Sequence, residues 1–160
     1  MKRVNKILEN RTYKEYIRKN KAAEVDRIFC CHNMEHFLDV ARIAQMMNLE
    51  EKLGLSKELI YATALLHDIG RHVQYEDGTP HEVASAKLAE NILEECGFGK
   101  KSQTEILRAI SEHRNKKVAK EASLAGVIYR ADKASRACYV CEAESLCNWK
   151  KTKKNLKIKY

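Results

Sequence analysis

Few side chains bind metal ions or activate water, and in this chain such residues recur at the ends of helical patterns. His67 and Asp68 stand side by side in Leu65-Leu66-His67-Asp68-Ile69-Gly70, where an apolar run stops. A neutral imidazole beside a carboxylate suits Fe, Mn, Ni, Co or Zn better than an ion that takes only oxygen, with Mg as the hard-ion alternative. On its own the pair is a weak signal, because an adjacent His and Asp beside a glycine commonly serve a helix-end hydrogen bond. What gives it weight is the distribution of His36, His81, His113 and Asp132, each in or beside a helical pattern. His32 lies one turn before His36 on roughly the same face and reads as a substrate contact, a support for the site or a surface residue. His72 comes after a turn signal.

Two further groups adjoin these residues. Arg71, Arg114, Lys116, Lys117, Lys133 and Arg136 cluster in sequence around the candidate ligands, and positive side chains there would suit a phosphate, although a solvated face is the simpler reading of each alone. Cys138, Cys141 and Cys147 come after Asp132 with the spacing Cys-x2-Cys-x5-Cys. On a continuing helix Cys138 and Cys141 would share a face, and a fourth ligand from Cys30, Cys31 or His32 would complete a structural zinc or iron-sulfur centre. The competing reading is buried helical cysteines, and Cys96 beside Gly97 reads as packing.

The elements that must position these residues all read as helix. Residues 1–30 form a helical scaffold with apolar positions from Ile7 to Phe29. A helix from Asn33 carries Phe37, Val40, Ile43, Ala44 and Met47 and stops near Gly54. Ser56 caps a helix through Leu66 that ends at Gly70. Residues 74–79 read as a polar turn. Thr79-Pro80-His81-Glu82 then reads as a helix start, with Thr79 as cap, Pro80 in the first helical position and Glu82 closing a capping box. Ser102 and Glu105 form a second capping box before a helix to His113, and a last long helix runs from about Ser123 past Asp132 to Cys138. No alternating strand pattern competes.

At 160 residues with a net charge of +8 and a pI near 9.2, the chain fits one domain, 1–160, ending in a basic, cysteine-containing extension over 138–160. The charge favours anionic partners: phosphorylated small molecules, nucleic acid, or an acidic surface. No apolar run has the length of a signal peptide or membrane span. The expected setting is cytoplasmic, where six cysteines would be reduced thiols rather than a disulfide framework.

The order His36, His67-Asp68, His81, His113, Asp132, with the flanks His36-Phe37-Leu38-Asp39-Val40-Ala41 and Ala131-Asp132-Lys133, resembles the HD-domain superfamily of metal-dependent phosphohydrolases from about residue 30 to 137. The resemblance implies an all-α, HD-domain-like helical bundle around a buried metal site. It implies His36, His67, Asp68 and Asp132 as the minimal ligand set, with His67 and Asp68 central to catalysis. His81 and His113 resemble the subgroup with two metals per site, which includes symmetrical dinucleoside tetraphosphate hydrolases; they could instead contact substrate phosphate. Physical logic agrees, since helices can bring ligands from separate segments to one point. Two ions about 3.5–4 Å apart clamp the attacking and leaving oxygens of a phosphoryl displacement, and Asp68 has two oxygens with which to bridge them. Water activated by the metal charge would be the nucleophile, and no Ser or Cys with a matching base competes. Arg71, Arg114, Lys133, Arg136 and His32 are then candidates for binding substrate, and Cys30, Cys138, Cys141 and Cys147 for a second metal centre. The expected function is hydrolysis of a nucleotide or related small phosphate ester or anhydride. The alternatives are a nucleotide sensor without turnover and a nucleic-acid or protein-binding module with a structural metal; the oligomeric state is open.

Overall fold

The computed structural model describes residues 1–160 and is built from helices: α1 (Lys2–Glu9), α2 (Arg11–Ala23), α3 (Met34–Glu50), α4 (Lys57–Leu66), α5 (Arg71–Asp77), α6 (His81–Glu95), α7 (Lys100–Glu112) and α8 (Leu124–Ala134). Short 3-10 turns at Lys116–Lys120, Cys138–Val140, Glu144–Leu146 and Lys151–Lys153 complete the chain. No helix is long and apolar enough to cross a membrane.

The helix that organises the packing is α4. Ile60, Ala62, Thr63, Ala64, Leu65 and Leu66 are all buried, so it is apolar nearly all round, the mark of a helix enclosed by others. It touches α1, α3, α6, α7 and α8, while α3 also packs on α8 and α7 joins α6 to α8. One continuous core of 28 buried residues results, running from Val4 to Ala131. Each large aliphatic side chain enclosed there, such as Leu65, Leu66 or Ile69, contributes about 1.5–3 kcal/mol. Because α4 lies at the centre, the residues just beyond its last turn, His67 and Asp68, are delivered to the middle of the molecule.

Gly70 allows that delivery. A Cβ there would lie 2.5 Å from the Ser85 backbone nitrogen and 2.8 Å from two Ala84 atoms, so only glycine lets the turn after α4 press onto α6. Its N–H donates to Ser85 Oγ at 2.9 Å.

Several expected boundaries differ from those observed. The scaffold over 1–30 is two helices broken at Asn10, whose side chain accepts from the Tyr13 N–H, and helix ends at Ala23. Residues 24–33 are irregular, with Val25 and Ile28 exposed. Helix α3 stops at Glu50 rather than near Gly54, since Lys52 already has a left-handed φ of 54°. The polar turn over 74–79 is largely helix: α5 buries only His72, so it needs no apolar period, and Gly78 at φ 82° ends it.

Pro80, not Thr79, is the cap of α6, and no side chain caps it; Thr79 instead donates its N–H to Asp77 Oδ1. Helix α7 begins at Lys100, two residues before the expected Ser102, because buried Phe98 draws the chain in and Gln103 Nε2 donates to the Phe98 carbonyl. The last helix ends at Ala134, short of Cys138. There the Asn155 side-chain amide donates to the carbonyls of Lys133, Ala134 and Arg136, taking up acceptors that a helix end leaves free. Cys138 and Cys141 therefore do not share a helix face; they bracket a 3-10 turn.

Candidate metal centre

Five helices turn an end toward one point. His36 lies in the first turn of α3 and His81 in that of α6, His67 and His113 come directly after the last turns of α4 and α7, and Asp132 lies in the last turn of α8. The carboxyl ends of α4, α7 and α8 carry partial negative charge, which favours a cation between them, while the amino ends of α3 and α6 act in the opposite sense.

Two sets of ligand atoms result. His36, His67, Asp68 and Asp132 each offer one atom within 4.8 Å of the others, and so do Asp68, His81 and His113. In the first set His36 Nε2 and His67 Nε2 face each other at 3.3 Å, and Asp68 Oδ2 lies 3.3 Å from His67 and 3.6 Å from His36. Asp132 Oδ1 lies 3.6 Å from His36. In the second set His81 Nε2 and His113 Nε2 are 3.1 Å apart, and Asp68 Oδ1 lies 3.1 and 3.5 Å from them. Asp68 is thus the residue common to both, one oxygen to each.

The orientation of the rings is fixed from behind. His67 Nδ1 donates to the Ala64 carbonyl at 2.7 Å and His113 Nδ1 to the Ile110 carbonyl at 2.6 Å. His81 Nδ1 pairs with Gln74 Oε1 at 2.6 Å, and His36 Nδ1 faces Ser135 Oγ at 3.3 Å. With Nδ1 of His36, His67 and His113 carrying its proton, each of those Nε2 atoms presents a lone pair to the centre, the tautomer a metal needs, while His81 Nδ1 stands between an acceptor, Gln74 Oε1, and a donor, Arg71 Nη1. These protons are assigned from the hydrogen bonds. Asp68 Oδ1 supplies the test of fit: it is fully buried yet makes no hydrogen bond of proper geometry, although two imidazole nitrogens stand beside it. A buried carboxylate oxygen without a donor is costly, and four or three converging N and O atoms are the donor set of a borderline divalent ion.

Charge is distributed to match. Burial disfavours the Asp68 carboxylate, but His67, His32, His113 and His36 outweigh it and hold its pKa well below the usual range. Burial likewise disfavours the Asp132 carboxylate, but Lys133, in contact with it, and then His67 and His113 outweigh burial and hold its pKa below the usual range. Burial lowers His67, and the Asp68 and Asp132 charges more than reverse this. His81 is lowered, chiefly by burial.

Of the other candidates, His32 lies closest, its Nε2 3.8 Å from Asp68 Oδ2 and its Nδ1 2.5 Å from Glu24 Oε1. Lys133 Nζ also donates to the His113 carbonyl at 3.1 Å. Arg71 sits against His81 Nδ1 at 2.7 Å and reaches Tyr75. Arg136 lines a cavity of about 320 Å³ that also borders His32, His36 and Asp132. Arg114 is half-exposed beside Glu82 and is not brought to that cavity. His72 is buried away from both ligand sets, stacked on Tyr16.

Sequence reasoning missed three residues that hold the site. Asn20 is buried, donates through Nδ2 to the Asp68 carbonyl at 2.9 Å and accepts the His72 N–H at 2.8 Å. Glu24 fixes His32, and Ser85 fixes Gly70. An asparagine on the inner face of the first long helix was the one available signal.

Comparison with known proteins agrees with this geometry. The HD domain family model matches residues 33–149. An uncharacterized protein of Clostridium beijerinckii is 49% identical over 160 residues, all of both chains. Ribonuclease Y of Petrotoga mobilis is 37% identical over 82 residues, and that of Oleidesulfovibrio alaskensis 30% identical over 123 residues, or 77% of this chain. The chain spans only 14% and 22% of those two ribonucleases. A solved structure described as a predicted HD superfamily hydrolase, from an uncultured Thermotogales bacterium, superposes with a TM-score of 0.63 at 23% identity, over 89% of this chain and 81% of that one; this likeness is one of fold. With the match spanning most of the chain and including the paired His67-Asp68, the chain belongs to the HD domain family.

Proposed function

We propose that this protein is a metal-dependent phosphohydrolase that cleaves a nucleotide or related small phosphate ester or anhydride without a covalent enzyme intermediate. The observation that carries the reading is Asp68, a buried carboxylate with one oxygen turned to each of two histidine-rich ligand sets. His36, His67, Asp68 and Asp132 would hold one divalent ion, and Asp68, His81 and His113 a second. Metal bound there supplies Lewis acidity and makes water nucleophilic near neutral pH. Asp68 and Asp132 stay ionised to hold that charge, and the backbone carbonyls behind His67 and His113 keep the imidazoles oriented. His32 and Arg136 would receive the phosphate on the open side, where the cavity borders His36 and Asp132, and Lys133, held by Asp132 and the His113 carbonyl, would add positive charge from beside it. Arg71 would act through His81, and Arg114 would meet only a substrate extending beyond the cavity.

A second reading, cleavage of RNA phosphodiesters, is favoured by the similarity to the two ribonucleases Y and by the net charge of +8. One experiment separates them. Protein of known metal content is screened for phosphate release from nucleotides with Mn, Fe, Co and Ni, and in parallel for cleavage of short RNAs over a range of salt. Turnover of free nucleotides with little salt dependence supports the first reading, whereas RNA cleavage that falls steeply with salt supports the second. Metal-independent turnover, or none on either class, overturns both. His81→Ala and His113→Ala should each lose bound metal and about 10–100-fold in rate; full metal content and activity would leave only the first ligand set.

A further inference from the structure

Outside the His/Asp centre, chemistry-bearing side chains gather at one more place. Cys30, Cys138, Cys141 and Cys147, from opposite ends of the chain, line the same cavity. All six cysteines are free, and Cys138, Cys141 and Cys147 are half-buried. Cys30 is exposed in the loop before α3, yet partial desolvation and then the nearby charges of Cys138 and Cys141 raise its pKa, while Arg136 opposes this. Cys31 also borders the cavity, but its Sγ contacts the carbonyls of Phe29 at 3.4 Å and Arg27 at 3.8 Å. Cys96 is buried in the core.

The segment carrying three of these cysteines has no core to hold it. Between Ser135 and Tyr160 only Ala143 is buried, and Tyr139, Val140, Leu146 and Trp149 are exposed. Its regular structure is three single 3-10 turns. Cys138 opens the first of these and Cys141 closes it, while Cys147 closes the second, so the backbone sets all three at the edges of turns. Beyond Asn155, the polar ties include Ser135 Oγ to His36 Nδ1 at 3.3 Å, Arg136 Nε to the Lys133 carbonyl at 3.1 Å, Lys154 to Glu144 at 2.7 Å, and Arg136 and Lys153 over the Trp149 ring at 4.3 and 5.7 Å. Irregular pieces this short of apolar burial are usually stapled by a disulfide or a metal.

We propose that Cys30, Cys138, Cys141 and Cys147 hold an iron-sulfur cluster that joins the C-terminal segment to the loop before α3. Four thiolates are the usual ligands of such clusters. A single zinc ion, with Zn–S near 2.3 Å in a tetrahedron, would need sulfurs about 3.8 Å apart. The sets of three or more ligand atoms within 4.8 Å of one another are those of His and Asp, so no three of the sulfurs lie that close together; a cluster, with irons and sulfides between its thiolates, spans more than a single zinc ion. Positive charge is at hand to balance them, from Arg136 on the cavity wall and from Lys154, whose ammonium is favoured by Glu144 first and then by Cys147 and Cys138. The cluster would form part of the wall of the cavity that also borders His36 and Asp132, independent of the hydrolytic assignment.

The test uses the full chain purified without oxygen from iron-replete cells, measuring iron, acid-labile sulfide and visible sulfide-to-iron absorption. Sulfide and absorption should be present, fall to background in Cys30→Ser, Cys138→Ser, Cys141→Ser and Cys147→Ser, and persist in Cys31→Ser and Cys96→Ser. Asp68→Ala should keep both, because iron held by His and Asp brings no sulfide. Cys30→Ser lies outside the C-terminal segment, and circular dichroism of each variant separates loss of ligand from loss of fold. Zinc without sulfide at the cysteines, metal-free protein whose four thiols all react at once, or sulfide retained by the four variants would overturn the proposal.

Discussion

Asp68 carries two opposed demands, since its carboxylate is buried and its Oδ1 has no well-formed hydrogen bond, yet the surrounding histidines keep it ionised. Such a residue stabilises bound metal more than it stabilises the fold. Asp68→Ala should therefore lose metal from both ligand sets and reduce hydrolysis at least about 100-fold, with helical circular dichroism unchanged; metal analysis beside a rate assay checks this. Glu24 gives the acid limb of stability. Burial would raise its pKa, but hydrogen bonds and the charge of His32 bring it from the usual 4.5 down to about 2. Its contribution is complete above pH 4.5 and is lost as the pH falls toward 2, since the unfolded chain takes up the proton first. Glu24→Gln should cost on the order of 2 kcal/mol at about pH 6 and little near pH 2, as urea melts at both values would record.

At the scale of elements, the site depends on what braces the turn after α4. Helix α2 reaches it through Asn20, which satisfies the Asp68 carbonyl and the His72 N–H together. Asn20→Ala would leave the buried His72 N–H unpaired and the Asp68 carbonyl with only the Arg71 N–H as donor, costing about 1–3 kcal/mol, and would loosen the backbone on which the Asp68 side chain stands. Metal affinity should fall about 10–100-fold, the usual effect of losing an outer support. Isothermal titration with Mn or Co, alongside thermal melts, would distinguish this from simple destabilisation: the affinity loss should persist well below the melting temperature.

For the whole molecule, the folding energy and the site are separable. The 28-residue core extends well beyond the ligand cluster and is apolar without it, so the fold does not wait on metal as small metal-dependent domains do. Chelation should lower the melting temperature through the lost binding energy while leaving helical content intact at room temperature; unfolding on chelation under those conditions would contradict this. The net charge of +8 acts at the same scale, favouring anionic partners in general through an attraction that added salt reduces.

The helical class, the central helix ending in His67-Asp68, and the candidates His36, His81, His113 and Asp132 were all legible in the sequence, because apolar spacing and ligand chemistry are local properties of the chain. Boundaries set by distant partners were out of its reach. Helix α8 stops at Ala134 because Asn155 folds back onto its carbonyls, and α7 begins at Lys100 because Phe98 is buried. The division of the ligands into two sets sharing Asp68 was implied only by the family resemblance, and its geometry required the folded molecule, since only the crossing of five helices brings Asp68 Oδ1 toward His81 and Oδ2 toward His67. Asn20 gave almost no local sign of its role, because its partners lie 48 and 52 positions away. Spacing within one segment is written in neighbouring residues, whereas the distance between segments exists only after the core has closed.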